Sequence, residues 1–150
     1  MNPISNLEVF LRLGLATLLG YLIGLERQMH GQSAGDRTHA LAALGAAAFT
    51  LLSLTAFPGS ESSRVAAQIV VGLGFVAAGV IIRDSSRGQI RGLTTAAGIW
   101  AVGAMGMAIG AGQYLVGGTV AVLIFILLVS ERLLKIDQRL AKRRRKDDEP

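Results

Sequence analysis

Ionisable side chains cluster between two apolar runs near the N-terminus: Glu26, Arg27, His30, Asp36, Arg37 and His39. Magnesium prefers oxygen ligands, keeps several waters and commonly takes one or two carboxylates, so Glu26 with Asp36 could hold this ion. Alternatively, the two acids pair with Arg27 and Arg37 as ordinary boundary charges, which composition alone favours. The two histidines have no cysteine beside them and make a poor zinc pattern.

A second polar group begins where Arg91 and Gly92 precede Thr94 and Thr95. A glycine followed by hydroxyl residues suits the start of a helix, whose first N–H groups need partners. The helix N-terminus and Arg91 could together hold an anion or a carboxylate. The alternative is a plain helix cap, which fits Thr94 better than Thr95. His39 is likewise expected to be a hydrogen-bonded residue at a helix start.

The elements that must position these residues are apolar. No Asp, Glu, Lys or Arg occurs in 38–60, 65–82 or 92–130. Apolar stretches of about 18 or more residues are typical of membrane-spanning helices. A helix over the last run would be about 58 Å long, roughly twice the hydrocarbon thickness, so a break near 110–113 is expected. The sequence predicts an all-α membrane protein, a bundle of five helices at about 6–25, 39–57, 65–82, 94–111 and 113–130.

Basic residues alternate between the predicted loops. The first and third loops are basic, and eight of the fifteen Lys and Arg residues follow Ser130. Because cytoplasmic loops are rich in Lys and Arg, we expect the N-terminus outside and the C-terminus in the cytoplasm. A transmembrane domain would cover 1–130 and a basic tail 131–150. One cytoplasm-facing vestibule would then contain Glu26, Arg27, Asp36, Arg37, Thr38, His39, Arg91, Thr94 and Thr95.

Polar side chains also fall at or inside the predicted spans. Arg64 and Gln68 mark the outer start of the third span. Gln68 shares a helical face with Gly72, so it is expected to point into the bundle. Arg12 lies four residues after Glu8 and is expected either to pair with that acid or to reach the outer surface, and its position near the end of the span favours the second.

Small residues recur at a spacing of four in this glycine-rich chain. Gly20 with Gly24, and Gly106 with Gly110, are two such pairs. In a membrane these pairs let helix backbones approach closely. They serve either compact packing within one chain or a homo-oligomer, and the motifs do not choose between the two.

Composition and motifs argue against several functions. The chain has no cysteine, which excludes disulfides and thiolate metal sites. It has no nucleophile motif, no metalloprotease HExxH and no phosphate-binding loop, so we do not expect an enzyme. The basic tail follows a span, which predicts contact with anionic lipid and not with nucleic acid.

Four ordered motifs resemble the membrane domain of the MgtC/SapB family over about residues 10–125: "LGYLIGLERQ", "AGDRTHALAALGAAAF", "SRVAAQIVVGLGFVAAGVIIR" and "GLTTAAGIWAVGAMGMAIGAGQY". The residues of the family's motifs are here Glu26, Arg27, Arg37, Thr38, His39, Arg64, Gln68, Thr94 and Thr95. Asp36 departs from the pattern, because the family usually has leucine there, so the Glu26–Asp36 pair rests on chemistry alone. Many members continue into a soluble C-terminal domain, where this chain has a short basic tail.

The resemblance implies a multi-pass protein of the bacterial inner membrane that is linked to magnesium limitation. The family is often labelled a magnesium transporter; some members are thought instead to regulate the ATP synthase or another membrane partner. Magnesium is the one cofactor or ligand expected. The expected partners are the lipid bilayer, a second copy of the chain and a membrane protein.

Overall fold

Five helices and one short hairpin form the part of the fold that the structure describes. The computed structural model describes residues 4–56, 62–84 and 89–147. The helices are α1 (Asn6–Met29), α2 (Asp36–Thr55), α3 (Ser62–Ala78), α4 (Leu93–Gly110) and α5 (Tyr114–Asp147). Helices α1, α2 and α4 are long and apolar enough to cross a membrane, whereas α3 and the 114–130 part of α5 are shorter apolar helices. The predicted all-α membrane bundle is confirmed.

Local chemistry explains where the helices begin and end. The side chain of Ser5 caps α1 by accepting the N–H of Glu8 at 3.2 Å. The expected break in the last apolar run falls at Gly112, whose φ of +80° suits glycine because it has no Cβ. The chain turns there and re-enters the bundle as α5, which continues as one helix past Ser130 into the basic segment.

The third loop is a two-stranded hairpin that the sequence analysis did not predict. Strands β1 (Ile82–Asp84) and β2 (Gln89–Arg91) pair antiparallel, with Ile82 opposite Arg91. Helix α3 therefore ends at Ala78, four residues before the predicted limit of its span. Strands of three residues are too short to give a reliable alternation of apolar and polar side chains.

Helix α2 lies between α1 and α4, and glycines make both contacts close. A Cβ on Gly24 of α1 would lie 2.5 Å from the carbonyl oxygen of Gly35. A Cβ on Gly106 of α4 would lie 3.0 Å from Cα of Ala43. Both small-residue pairs predicted from the sequence are therefore used for packing within one chain.

The same contacts bring three polar segments to one end of the bundle, here called the charged end. Gly24 meets the start of α2, and Thr95 near the start of α4 meets Gln32 of the α1–α2 loop. The β hairpin closes this end, since it joins α3 to α4. Above it the centre is apolar and fully packed, with Ala43, Val102 and Met105 completely inaccessible.

Candidate functional site

The last turn of α1 brings an acid and two bases together at the charged end. Arg27 is only 3% exposed, and its Nη1 lies 3.7 Å from Oε2 of Glu26. His30 Nδ1 lies 3.1 Å from the other carboxylate oxygen. Within the described residues, Glu26 Oε2 and Arg27 Nε are buried and have no hydrogen-bond partner. Glu26 thus has two basic neighbours but no close, hydrogen-bonded partner for Oε2.

His39 stands on the first turns of α2 and is completely buried. Its Nδ1 lies 2.8 Å from the carbonyl oxygen of Gly35, which can only accept, so Nδ1 carries the proton and donates. A neutral ring then leaves Nε2 as an acceptor. Nε2 is buried and has no hydrogen-bond partner in the described part of the chain. The expectation of a hydrogen-bonded residue at the helix start is confirmed.

Glu26, Arg27 and His39 together form what we call the buried polar cluster. Arg27 and His39 are both buried where α1 meets the start of α2, since Gly20 of α1 packs against the His39 carbonyl and Gly24 against Gly35. Buried polar atoms are nearly always hydrogen-bonded, so three unmatched atoms in one region need an explanation. A carboxylate oxygen and a neutral imidazole nitrogen accept, whereas a guanidinium donates. The cluster therefore offers two hydrogen-bond acceptors and one donor to water or to a hydrated ion.

Asp36 has a local partner at the start of α2. Its carboxylate accepts the backbone N–H of Arg37 at 2.7 Å, and its own N–H points to Gln28 Oε1 at 3.4 Å. Among the residues described here, Asp36 makes no ion pair with the Arg37 guanidinium. No group of three or more His, Asp or Glu side chains in the described ranges could hold a metal. A two-carboxylate site of Glu26 and Asp36 stays a prediction.

The start of α4 contributes one buried and two exposed residues from the predicted vestibule. Thr95 is 1% exposed and its hydroxyl lies 3.4 Å from Gln32 Oε1. Thr94 is exposed, as is Arg91 on β2. Gly92 is the N-cap of α4 and no side chain caps the helix, so the simple cap interpretation of Thr94 is wrong. A left-handed glycine with φ of +89° ends the hairpin there instead.

Arg37, Thr38 and Gln68 lie together in a cleft between α2 and α3 and not in the buried polar cluster. The prediction that Gln68 points into the bundle is wrong, because Gln68 and Gly72 are both exposed. Ile69 and Ala77 are buried instead. Close packing decides which face turns inward, because Leu73 of α3 lies against Gly103 of α4. Arg64 is exposed near the start of α3.

The family assignment rests on the whole transmembrane region. The model of the MgtC family matches residues 13–136, which includes all of the residues placed above. The chain belongs to the MgtC family. It is 45% identical to Protein MgtC of Salmonella typhimurium over 130 residues, which is 85% of this chain and 55% of the relative.

Two further relatives share the same part of the sequence. The Putative magnesium transporter YhiD of Escherichia coli is 44% identical over 119 residues, covering 73% of this chain and 54% of the relative. Protein MgtC of Brucella abortus is 43% identical over 125 residues, covering 83% of this chain and 51% of the relative. The chain spans about half the length of these relatives. No solved structure matches it.

The opposite end of this MgtC-family bundle holds a second polar group. Arg12 Nε donates to Glu8 Oε1 at 2.8 Å, and Nη1 donates to the carbonyl oxygen of Gly110 at 3.0 Å. The hydroxyl of Tyr114 donates to the same Glu8 oxygen. Of the two alternatives for Arg12, the structure shows the pair with Glu8 and not the favoured extension to the outer surface, since the Arg12 side chain is only 13% exposed. The contacts of Gly110 and Tyr114 with this group were not predicted, since nothing in the sequence pattern relates these two residues to the first helix.

Proposed function

We propose that this chain acts in magnesium homeostasis in the bacterial inner membrane, as a magnesium transporter in which Glu26 meets the ion. Membership of the MgtC family and the name of one relative, Putative magnesium transporter YhiD, support the magnesium link. The apolar helices support the membrane location. The proposal includes no enzymatic activity.

The observation that carries the proposal is the loose partnership of Glu26. Its Oε2 lies 3.7 Å from Arg27 Nη1, beyond the roughly 2.7–2.9 Å of a charge-assisted hydrogen bond. The same oxygen is buried and has no hydrogen-bond partner among the described residues. Magnesium gives up its waters reluctantly and is commonly held through one or two carboxylates plus water. Glu26 can therefore exchange its contact with Arg27 for a hydrated magnesium ion.

The direction of access follows from the charge distribution. The buried polar cluster lies at the end that carries Arg37 and Arg91, and the basic segment follows the last apolar helix. By the positive-inside rule this end faces the cytoplasm. In this proposal, cytoplasmic magnesium reaches Glu26 from the α1–α2 loop. The contact between Gln32 of this loop and Thr95 of α4 holds the loop in position at this entrance.

A second candidate function, a non-transporting regulator of another membrane protein, is favoured by the packed centre of the bundle. Ala47, Val102 and Ile109 are completely inaccessible and leave no room for a hydrated ion. Transport would require α2 to separate from α1 or α4, against the close glycine contacts. A regulator needs no such movement.

A flux measurement tests the transporter. Purified protein is placed in liposomes that contain a magnesium-sensitive dye, and a magnesium gradient is applied. The wild type is expected to admit magnesium faster than empty liposomes, and Glu26→Gln is expected to lose the difference. Glu8→Gln is the matched control, because it changes the same type of acid on the same helix at the other end. Wild-type flux equal to that of empty liposomes would eliminate the transporter.

That outcome would leave the regulator, which has its own test. Mild extraction from the native membrane is expected to recover a larger complex. Ala104→Leu should weaken that complex, because Ala104 is an exposed small residue on α4. Gly106 is unsuitable for this purpose since it packs against Ala43 within the chain. Recovery of the chain free of other proteins would argue against the regulator.

A further inference from the structure

A cleft between α2 and α3 has a volume of about 710 Å³. Its walls are almost wholly apolar. Small residues, Ala42, Gly45 and Gly72, make it concave, while Leu41 and Phe49 form its rim. Three polar side chains line it: Arg37, Thr38 and Gln68. It is separate from the buried polar cluster on the other face of α2.

A positive charge at one end of this cleft has no acidic partner among the side chains that the structure describes. Arg37 and Thr38 stand on the first turn of α2, at the charged end, and Arg37 is exposed. Arg37 makes no ion pair with any of the side chains that the structure describes, which are those of residues 4–56, 63–83 and 89–130. A guanidinium with five N–H donors matches a phosphate, and the neighbouring hydroxyl adds a further donor.

The dimensions of the cleft fit one leaflet of a bilayer. From Arg37 to Phe49 it runs along twelve residues of α2, about 18 Å at 1.5 Å per residue. Half of a typical hydrocarbon core is about 15 Å. An acyl chain with its headgroup at Arg37 matches this length, and the almost wholly apolar walls suit it.

From this geometry we infer that the α2–α3 cleft binds an anionic phospholipid, with its phosphate at Arg37 and Thr38 and one acyl chain along Gly45 and Gly72. The apolar walls cover the chain, and the unpaired guanidinium selects the negative headgroup. This site is distinct from the basic tail and from the proposed magnesium contact at Glu26. Lipid at this position would fill the side of α2 that neither α1 nor α4 covers.

Native mass spectrometry of the full chain in mild detergent tests the headgroup. The probes are phosphatidylglycerol and phosphatidylcholine with the same acyl chains. Arg37→Gln is expected to lower the ratio of retained phosphatidylglycerol to phosphatidylcholine about fivefold, the effect of one basic residue near an anionic surface. Arg64→Gln, an exposed arginine outside the cleft, should leave the ratio unchanged. The basic tail is present in every variant, so its contribution cancels. An unchanged ratio in Arg37→Gln would overturn the inference.

Filling the cleft tests the acyl chain. A Cβ on Gly45 meets no atom within 4 Å, so Gly45→Phe is expected to fold and to lose one bound lipid of either type. Gly14→Phe is the matched control, since Gly14 is equally open but lies on α1 outside the cleft. Full lipid retention by Gly45→Phe would contradict the site. So would a disulfide between two copies of Gly45→Cys in membranes, because the chain has no other cysteine and the occupant would then be a second copy.

Discussion

Arg12 of α1 donates from Nη1 to the carbonyl oxygen of Gly110, the last residue of α4, at 3.0 Å. The last carbonyls of a helix lack partners within the helix, and a cation is favourable at that end. Arg12 therefore caps α4 from a helix that begins the chain. Through Glu8 the same group reaches Tyr114, so three helices are tied at this end.

We expect Arg12→Gln to lower the melting temperature of the detergent-solubilised protein by about 3–8 °C, because hydrogen bonds to a charged group are lost. The melting temperature of Arg12→Lys should lie between those of the wild type and Arg12→Gln, since one ammonium cannot reproduce both guanidinium contacts. The control is Arg64→Gln, which removes an exposed arginine. If Arg12→Gln and Arg12→Lys both melt at the wild-type temperature, the contact with Gly110 has no structural role.

Two glycines of α1 are expected to respond to alanine with opposite signs. A Cβ on Gly24 would lie 2.5 Å from the carbonyl oxygen of Gly35, so Gly24→Ala should cost about 1–3 kcal/mol by forcing α1 from α2. Gly14 has no atom within 4 Å, and Gly14→Ala should stabilise the helix by about 0.5–1 kcal/mol. The free energy of unfolding in an SDS titration measures both. If both variants lose stability, the close contact of Gly24 with α2 is not what distinguishes the two positions.

Glu26 and Arg27 should be energetically coupled. Glu26→Gln leaves a buried guanidinium without its acid, and Arg27→Gln leaves the acid without its nearest cation. Each single change is expected to cost about 1–3 kcal/mol, and the double change less than their sum. A double-mutant cycle of unfolding free energies measures the coupling. Additive costs would mean that the 3.7 Å separation carries no interaction.

Gly31 and Gly92 both have positive φ but differ in their surroundings. Gly31→Ala should cost roughly 1–2 kcal/mol, the left-handed strain alone, because nothing lies within 4 Å of its Cβ. Gly92→Ala should cost more, because its Cβ would also meet the carbonyl of Val80. Thermal unfolding compares the two. Equal losses would mean that the backbone at Val80 moves away and the contact costs nothing.

Local patterns made the helices and the Glu8–Arg12 pair predictable, since spacing by four residues places side chains on one helical face. The hairpin at Ile82 and the exposure of Gln68 were not predictable in the same way. Which face of α3 turns inward depends on whether its neighbour offers a glycine or a bulky side chain. Gly103 of α4 receives Leu73, which fixes that rotation.

The sequence by itself determined that this chain is a five-helix membrane protein of the MgtC type, because long uncharged runs and ordered motifs are local properties. Only the tertiary structure decided how the six ionisable residues divide. It buried Arg27 and His39, set the half-buried Glu26 beside Arg27, and left Arg37 at the mouth of the α2–α3 cleft. The physical reason is the close contact of Gly20 and Gly24 with α2, which fixes the rotation of both helices and hence the direction of every side chain on their shared end.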